Sequence, residues 1–363
     1  MRVAVVCPYS LTKPGGVQGQ ALGQVRAMRA LGHDAELLAP CDGPPPPGDG
    51  ITALGGSVPL SANGSVAPLA LDPASAVRTV RALREQDFDI VHLHEPLCPG
   101  PTLAALMFER RPMVGTFHRS GSSAAYAALR PAVVRLARRL AVRCAVSPDA
   151  RDTAAAALGG DYEVVFNGVD AERFARATPW PKAGPTILFI GRHERRKGLD
   201  VLLDAMGLLP PETHLWVAGD GPQTGELRAR SADDTRVEWL GVIDDGEAAS
   251  RLRGADVFCA PSVHGESFGV VLLEAMAAGT PVVASNLPGY RNVASPAQHA
   301  LMVAPGDAEA LAGAVSQVLG DTRLATRLAS AGQQRARQFG MDELVQRYLH
   351  LYEVARRAFS GRT

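Results

Sequence analysis

Cysteine is sparse and unpatterned in this sequence, lysine is nearly absent, and no long hydrophobic run occurs. The five cysteines, Cys7, Cys41, Cys98, Cys144 and Cys259, are odd in number and scattered, mostly in apolar strand-like runs. That argues against a disulfide framework or a zinc site and for reduced thiols in a cytoplasmic protein. Nowhere do about 18 apolar residues run together, as a membrane-crossing helix needs. The apolar run in "MRVAVVC" is also too short for a secretory leader. Net charge is missing too: 37 basic residues face 37 acidic ones, which removes a global pull toward nucleic acid and leaves docking to local patches. Of those basic residues only Lys13, Lys182 and Lys197 are lysine. A lysine kept in a chain that otherwise writes arginine marks a place where a compact ammonium is wanted.

What is present is a two-part α/β pattern. At 363 residues the chain is too long for one ordinary core. Short β-branched runs alternate with helical segments, the signature of parallel sheets covered on both faces. Strands are expected at "RVAVVC", "AELLAP", "DIVHLH", "MVGTF", "CAVS" and "EVVFNG", then at "TILFIG", "HLWVAG", "VEWLG", "VFCAP", "PVVAS" and "LMVAP". Six and six suggest two Rossmann-like domains, residues 1–169 and 170–342, joined through the proline-bearing stretch "NGVDAERFARATPWPKAGP". The closing segment "MDELVQRYLHLYEVARRAF" reads as an amphipathic helix with Leu344, Tyr348, Leu351 and Tyr352 on one side. It is expected to cross back, as residues 343–363, to the first domain. "PCDGPPPPGDG" reads as a surface loop.

Open α/β sheets bind ligands at the carboxyl ends of their strands, so the loops after strands come first. After the first strand, "PYSLTKPGGVQGQALGQV" puts Gly15 and Gly16 where the free amides of a helix begin. That suits a phosphate, although the glycines could equally make only a tight turn. The matching loop of the second half is "GRHERRKGLDVLLDAM". Arg192 and Lys197, five residues apart, can converge on one anion there, while Arg195 and Arg196 between them read as exposed.

The stretch "HGESFGVVLLEAMAAGTPVVAS" places Glu266 before an apolar helix and Glu274 on it, with Ser267, Phe268 and Gly269 between them. Eight residues of helix advance roughly 12 Å, a little less if the first few are loop, about the span of a sugar joined through a diphosphate to a ribose. A carboxylate accepts from two hydroxyls, which is what a sugar diol offers. A merely capped helix with a surface glutamate fits less well, because the neighbours of Glu274 read as buried.

In "VHLHEP", His92 and His94 alternate on one strand face; a buried, hydrogen-bonded role suits them better than metal binding, since no third ligand has suitable spacing. His118, ending the strand in "GTFHRSG", is a better functional candidate. From Arg110 to Pro148 there are eight arginines and no acidic residue. Arg135, Arg138, Arg139 and Arg143 are expected on one helical face, opposite Val133, Leu136 and Leu140. With Arg130 they form a candidate anionic-membrane contact, or simply a solvated helix face.

With the E-x7-E pair, the Gly-Gly loop and "GR...RKG" in place, the chain resembles the family-4 retaining glycosyltransferases of the GT-B fold over nearly its whole length. "PYSLTKPGGVQ", "NGSVAPL", "HEP", "TFH" and "FNGVD" make it most similar to the actinobacterial phosphatidylinositol α-mannosyltransferases. The resemblance implies two Rossmann-like domains facing a central cleft, and mannose transfer from GDP-mannose to the inositol ring of phosphatidylinositol. The partners it implies are GDP-mannose, phosphatidylinositol and an anionic membrane surface at the inner face of the plasma membrane. It implies no tightly bound cofactor, with Mg²⁺ possible alongside the nucleotide, and no protein-held metal. Gly15 and Gly16, Arg192 and Lys197 would hold the diphosphate, and Glu274 the ribose. Glu266 with the amides of Phe268 and Gly269 would hold the mannose, Ser267 would belong to the same donor site, and Asp245 would face guanine. His118 would sit beside the sugar, with Glu266, Arg192 and Lys197 completing the catalytic set. Tyr9, Gln18, Asn63, Ser65 and Arg119 would line the acceptor pocket. The pattern breaks at Pro68, where an arginine is expected, and at Ser123, where a lysine is expected. A phosphate contact is then lost there or supplied by Lys13 or Arg119. A silent binding module on this fold would carry a broken E-x7-E or a lost Arg/Lys pair, and both are intact.

Overall fold

The computed structural model describes residues 1–13, 15–48, 50–62, 65–119 and 130–361, apart from the side chains of residues 61, 62, 65 and 66. Asn63, Ser123 and the side chain of Ser65 therefore lie outside the described residues. The chain divides into two units, Met1–Gly168 with Met341–Thr363, and Val169–Gly340.

In the first unit, strands β1 (Arg2–Val6), β2 (Asp34–Ala39), β3 (Ile51–Ala53), β6 (Ile90–His94), β7 (Met113–Phe117), β8 (Val142–Ala145) and β9 (Glu163–Val164) form one parallel sheet. Its order is β3-β2-β1-β6-β7-β8-β9. A separate antiparallel hairpin, β4 (Val58–Ala62) and β5 (Ser65–Leu69), stands between β3 and β6 in the chain. This hairpin and β3 are additions to the six expected strands, and Pro68 lies in β5 opposite Pro59.

Alternation along β1 sends Val3 and Val5 to one face and Ala4 and Val6 to the other, and each face has its own core. The Val3 face is covered by the Gly16–Ala30 helix and by the Met341–Ser360 helix, which buries Val345, Tyr348, Leu351, Tyr352 and Ala355. Each large side chain so buried contributes about 1.5–3 kcal/mol, which is why the C-terminal helix belongs to this unit.

In the second unit, β10 (Thr186–Ile190), β11 (His214–Ala218), β12 (Val237–Gly241), β13 (Val257–Ala260), β14 (Val282–Ser285) and β15 (Leu301–Val303) form a parallel sheet. The order is β12-β11-β10-β13-β14-β15. The alternation repeats: Leu188 joins the core under the Asp245–Gly254 and Val270–Ala278 helices. Ile187 and Phe189 join the one under Leu199–Met206 and Ala308–Gly320. Both sheets reverse strand order beside their first strand, between β1 and β6 and between β10 and β13. A crevice for ligand opens at such a switch point.

Candidate active site

At the β10/β13 switch point two loops meet through a chain of ion pairs. The loop after β10 ends in a 3₁₀ turn, Arg195–Lys197, then Gly198 at φ 66°. A Cβ at Gly198 would lie 2.1 Å from the Pro261 carbonyl oxygen on the other loop, so only glycine allows this approach. Lys197 Nζ donates to Glu266 Oε1 at 2.7 Å, and Arg196 Nη1 approaches the same oxygen at 3.2 Å. Arg196 Nε also meets Glu194 Oε2 at 3.0 Å, and Arg192 Nε meets Glu194 Oε1 at 2.8 Å. Ser262 Oγ donates to Glu266 Oε1 at 2.9 Å and is hydrogen-bonded to the Tyr290 hydroxyl at 2.8 Å.

Burial pushes the Glu266 carboxyl up, but Lys197 and Arg196 beside it, with bonds from Lys197 and Ser262, outweigh that and hold it below its usual range. Arg196, expected to be exposed, is instead held between two carboxylates with its side chain only 17% accessible; Arg195 is exposed. Glu194, Ser262 and Tyr290 are the members that sequence reasoning missed. The alternation of acid and base in "HERRK" was the available signal for Glu194.

Past Glu266 the chain is fixed by close backbone contact. A Cβ on Gly289 would fall 1.9 Å from the Glu266 carbonyl oxygen. Phe268 is buried, and Gly269 at φ 96° opens the Val270–Ala278 helix with no side-chain cap. The Leu199–Met206 helix likewise begins on Gly198 without one. Helix amides left uncapped by side chains suit an anion. Glu274 lies partly buried on the Val270–Ala278 helix. Burial raises its carboxyl to about 7, with Arg173 pulling it down and Asp245 adding to the rise. Asp245, the residue expected to face guanine, is itself paired with Arg173 at 2.9 Å.

In the first unit, the loop after β1 is stitched by Gln18, whose Nε2 donates to the carbonyl oxygens of Lys13 (3.1 Å) and Ser10 (3.4 Å). Ser10 N in turn donates to Pro68 O at 3.0 Å. Gly15 caps the Gly16–Ala30 helix in an extended conformation with no side-chain bond, and a Cβ at Gly16 would meet nothing within 4 Å. Burial, with Cys98 and the Glu95 carboxyl as neighbours, raises the Tyr9 phenol well above its ordinary range.

His118 is 9% exposed and sits at the end of a buried polar chain. Its Nε2 lies 2.8 Å from His94 Nδ1, and His94 Nε2 lies 3.0 Å from Gln24 Oε1. Gln24 Nε2 meets His92 Nδ1 at 2.8 Å and the Tyr352 hydroxyl at 2.7 Å, and His92 Nε2 meets Thr116 Oγ1 at 2.7 Å. His92 and His94 are thus buried and hydrogen-bonded, as their spacing suggested. Burial holds His92 and His118 well below the ordinary histidine range, and His94 at about 3. The His118 amide donates to Glu95 Oε1 at 2.8 Å. Glu95 has φ 50°, a strained value for a side-chain-bearing residue that its buried contacts must offset. Arg119 lies beside the same carboxyl.

The arginine helix is shorter than its periodicity implied. It spans Arg130–Ala137, and Arg143 lies on β8, where it donates to Ala137 O and Gly159 O, rather than on the helical face. Arg130, Arg135, Arg138 and Arg139 are exposed, although Arg139 Nη2 donates to Glu109 O at 2.5 Å. Among the described residues no helix is long and apolar enough to cross a membrane.

Two Rossmann-type sheets, each with a glycine-started helix at its switch point, define the GT-B class, and comparisons agree. Residues 14–173 match the model for glycosyltransferase family 4, and residues 184–321 match that for glycosyl transferases group 1. Anabaena Alr3699/HepE, solved in complex with UDP and glucose, superposes with a TM-score of 0.76 at 21% identity, over 97% of this chain and 99% of that one. The sucrose-phosphate synthase of Thermosynechococcus elongatus gives 0.73 at 20% identity, over 97% and 98%. In sequence, the chain is 38% identical over 363 residues to the phosphatidyl-myo-inositol mannosyltransferase of Mycobacterium leprae, spanning 98% of this chain and 97% of the relative. That of Mycolicibacterium smegmatis is 37% identical over 98% and 94%. The chain belongs to the family-4, group 1 glycosyltransferases that include these mannosyltransferases, and it is a hexosyltransferase.

Proposed function

We propose that the protein is a retaining phosphatidylinositol α-mannosyltransferase that uses GDP-mannose and works at an anionic membrane surface, the cytoplasmic face of the plasma membrane. The observation that carries this reading is 37–38% identity to phosphatidyl-myo-inositol mannosyltransferases along essentially the whole chain. The site chemistry supports it. Lys197, Arg192 and the start of the Val270–Ala278 helix would take the diphosphate, Glu266 the mannose hydroxyls, and Glu274 the ribose diol.

Lys197 Nζ donates to Glu266 Oε1. When it turns to the phosphates, Glu266 keeps Arg196 and Ser262 as partners, so the carboxylate stays ionised and able to accept sugar hydroxyls. The acceptor hydroxyl would enter on the face from which the diphosphate leaves, through an oxocarbenium-like state, and the departing phosphate would take its proton. Arg192, Lys197 and the helix amides would stabilise the charge growing on the leaving group, the largest single contribution to expect. In this reading no cofactor is held, and any Mg²⁺ travels with the nucleotide. His118, Tyr9, Gln18 and Arg119 belong to the acceptor side, as do Asn63 and Ser65. Asp245 would read guanine after exchanging Arg173 for the base.

A second reading, transfer to a glycan, is favoured by 34% identity over 268 residues to a Mycobacterium tuberculosis glycogen synthase. Purified protein incubated with sugar-labelled GDP-mannose, phosphatidylinositol vesicles and a soluble α-glucan as competing acceptor separates the two. Label in the lipid phase is expected, and label confined to a water-soluble glycan would favour the second.

A further inference from the structure

The buried polar chain of the first unit has a direction. Gln24, 1% exposed on the Gly16–Ala30 helix, turns Nε2 to His92 Nδ1 and the Tyr352 hydroxyl, and Oε1 to His94 Nε2. An amide oxygen only accepts and an amide nitrogen only donates. His94 must then carry its proton on Nε2, which leaves a lone pair on Nδ1. That lone pair faces His118 Nε2 at 2.8 Å, and a bond forms there only if His118 is protonated on Nε2. The other end runs the opposite way: His92 Nδ1 accepts from the Gln24–Tyr352 pair, and its Nε2–H donates to Thr116 Oγ1. Burial keeps all three rings neutral, so each carries a single proton.

We propose that Gln24 is a positioning residue: relayed through His94, its amide holds His118 as the Nε2-protonated tautomer and presents Nδ1 as a hydrogen-bond acceptor. An acceptor nitrogen takes a hydroxyl and refuses a phosphate oxygen, so His118 orients an O–H of a sugar or cyclitol. That consequence rests on the reading in which His118 stands beside the transferred sugar. Turning the amide over would reverse every proton in the chain and make Nδ1 a donor suited to an anion. The C-terminal helix enters this relay through Tyr352, whose hydroxyl shares the Gln24 nitrogen with His92.

The test is a two-bond ¹H–¹⁵N correlation spectrum of the full-length protein labelled in histidine, with His118 assigned from the signals lost in His118→Asn. The expected result is Nε2 protonation at both His94 and His118. Gln24→Met removes the amide and should give a mixture of tautomers at His118. Gln24→Glu, an acceptor on both arms, should leave His94 and His118 unchanged and move the His92 proton to Nδ1. Nδ1 protonation of His118 in the unsubstituted protein overturns the proposal even if a variant fails to fold, and so does an unchanged tautomer in a folded Gln24→Met. The spectra need no substrate. A protein that shows this tautomer but transfers no mannose to lipid fails the functional reading alone.

Discussion

Lys197 Nζ stands 2.7 Å from Glu266 Oε1, joining the loop after β10 to the loop after β13 at the switch point of the second sheet. One residue is expected to bind phosphate and the other sugar, and here each neutralises the other. The site is therefore held in shape by charges that the substrate would later use.

Lys197→Ala should weaken GDP binding by roughly 1.5–3 kcal/mol, the range for a hydrogen bond to a charged group, or about tenfold or more in Kd. It should also lift the Glu266 carboxyl toward its ordinary range, because the largest charge holding it down is gone. Calorimetric titration with GDP measures the first effect, and an unchanged Kd would contradict the role given to this lysine.

Gly289→Ala puts a methyl group onto the Glu266 backbone. Overpacking of this kind costs about 1–3 kcal/mol, so a lower melting temperature and weaker nucleotide binding are expected together. Gly225→Ala, where a methyl group would meet nothing within 4 Å, is the control and should leave both nearly unchanged.

Glu274 gives a pH dependence with a definite sign. Its folded-state value, about 7, lies above the ordinary 4.5, so between those values the folded chain keeps a proton that the unfolded chain has released. Its contribution to stability therefore falls as pH rises through that window. Binding of a ribose diol needs the ionised acceptor, so nucleotide affinity should rise from pH 6 to pH 8. Glu274→Gln should flatten both trends. A pH-independent GDP affinity in the unsubstituted protein would count against the ribose contact.

Arg130, Arg135 and Arg138 are exposed, whereas Arg139 spends one guanidinium nitrogen on the Glu109 carbonyl. Reversing the charge of Arg130, Arg135 and Arg138 should reduce sedimentation with anionic liposomes more than Arg139→Glu alone. Equal binding by all variants would leave the helix a solvated face.

The second unit was almost wholly legible, because β10 to β15 are short β-branched runs punctuated by glycine and proline. The first was less so. β3 has three residues, and the β4–β5 hairpin carries Pro59 and Pro68, which mask the strand pattern. The helical period of "RLARRLAVRC" runs on past Ala137 into β8, which misplaced Arg143. Glu274 stood out among apolar neighbours, Glu266 by its spacing from Glu274, Lys197 as one of three lysines and His118 by ending a strand. Their partners did not. Arg196 looked like one more surface arginine, because the glutamate that engages it lies about 70 residues away in the chain.

The decisive measurement is the structure of the transferred product. After incubation with GDP-mannose and phosphatidylinositol vesicles, one mannosyl residue is expected on the inositol ring of the lipid, with the α configuration of the donor preserved. A β-linked product would contradict retention, and mannose absent from the lipid while GDP binds normally would contradict the assigned acceptor.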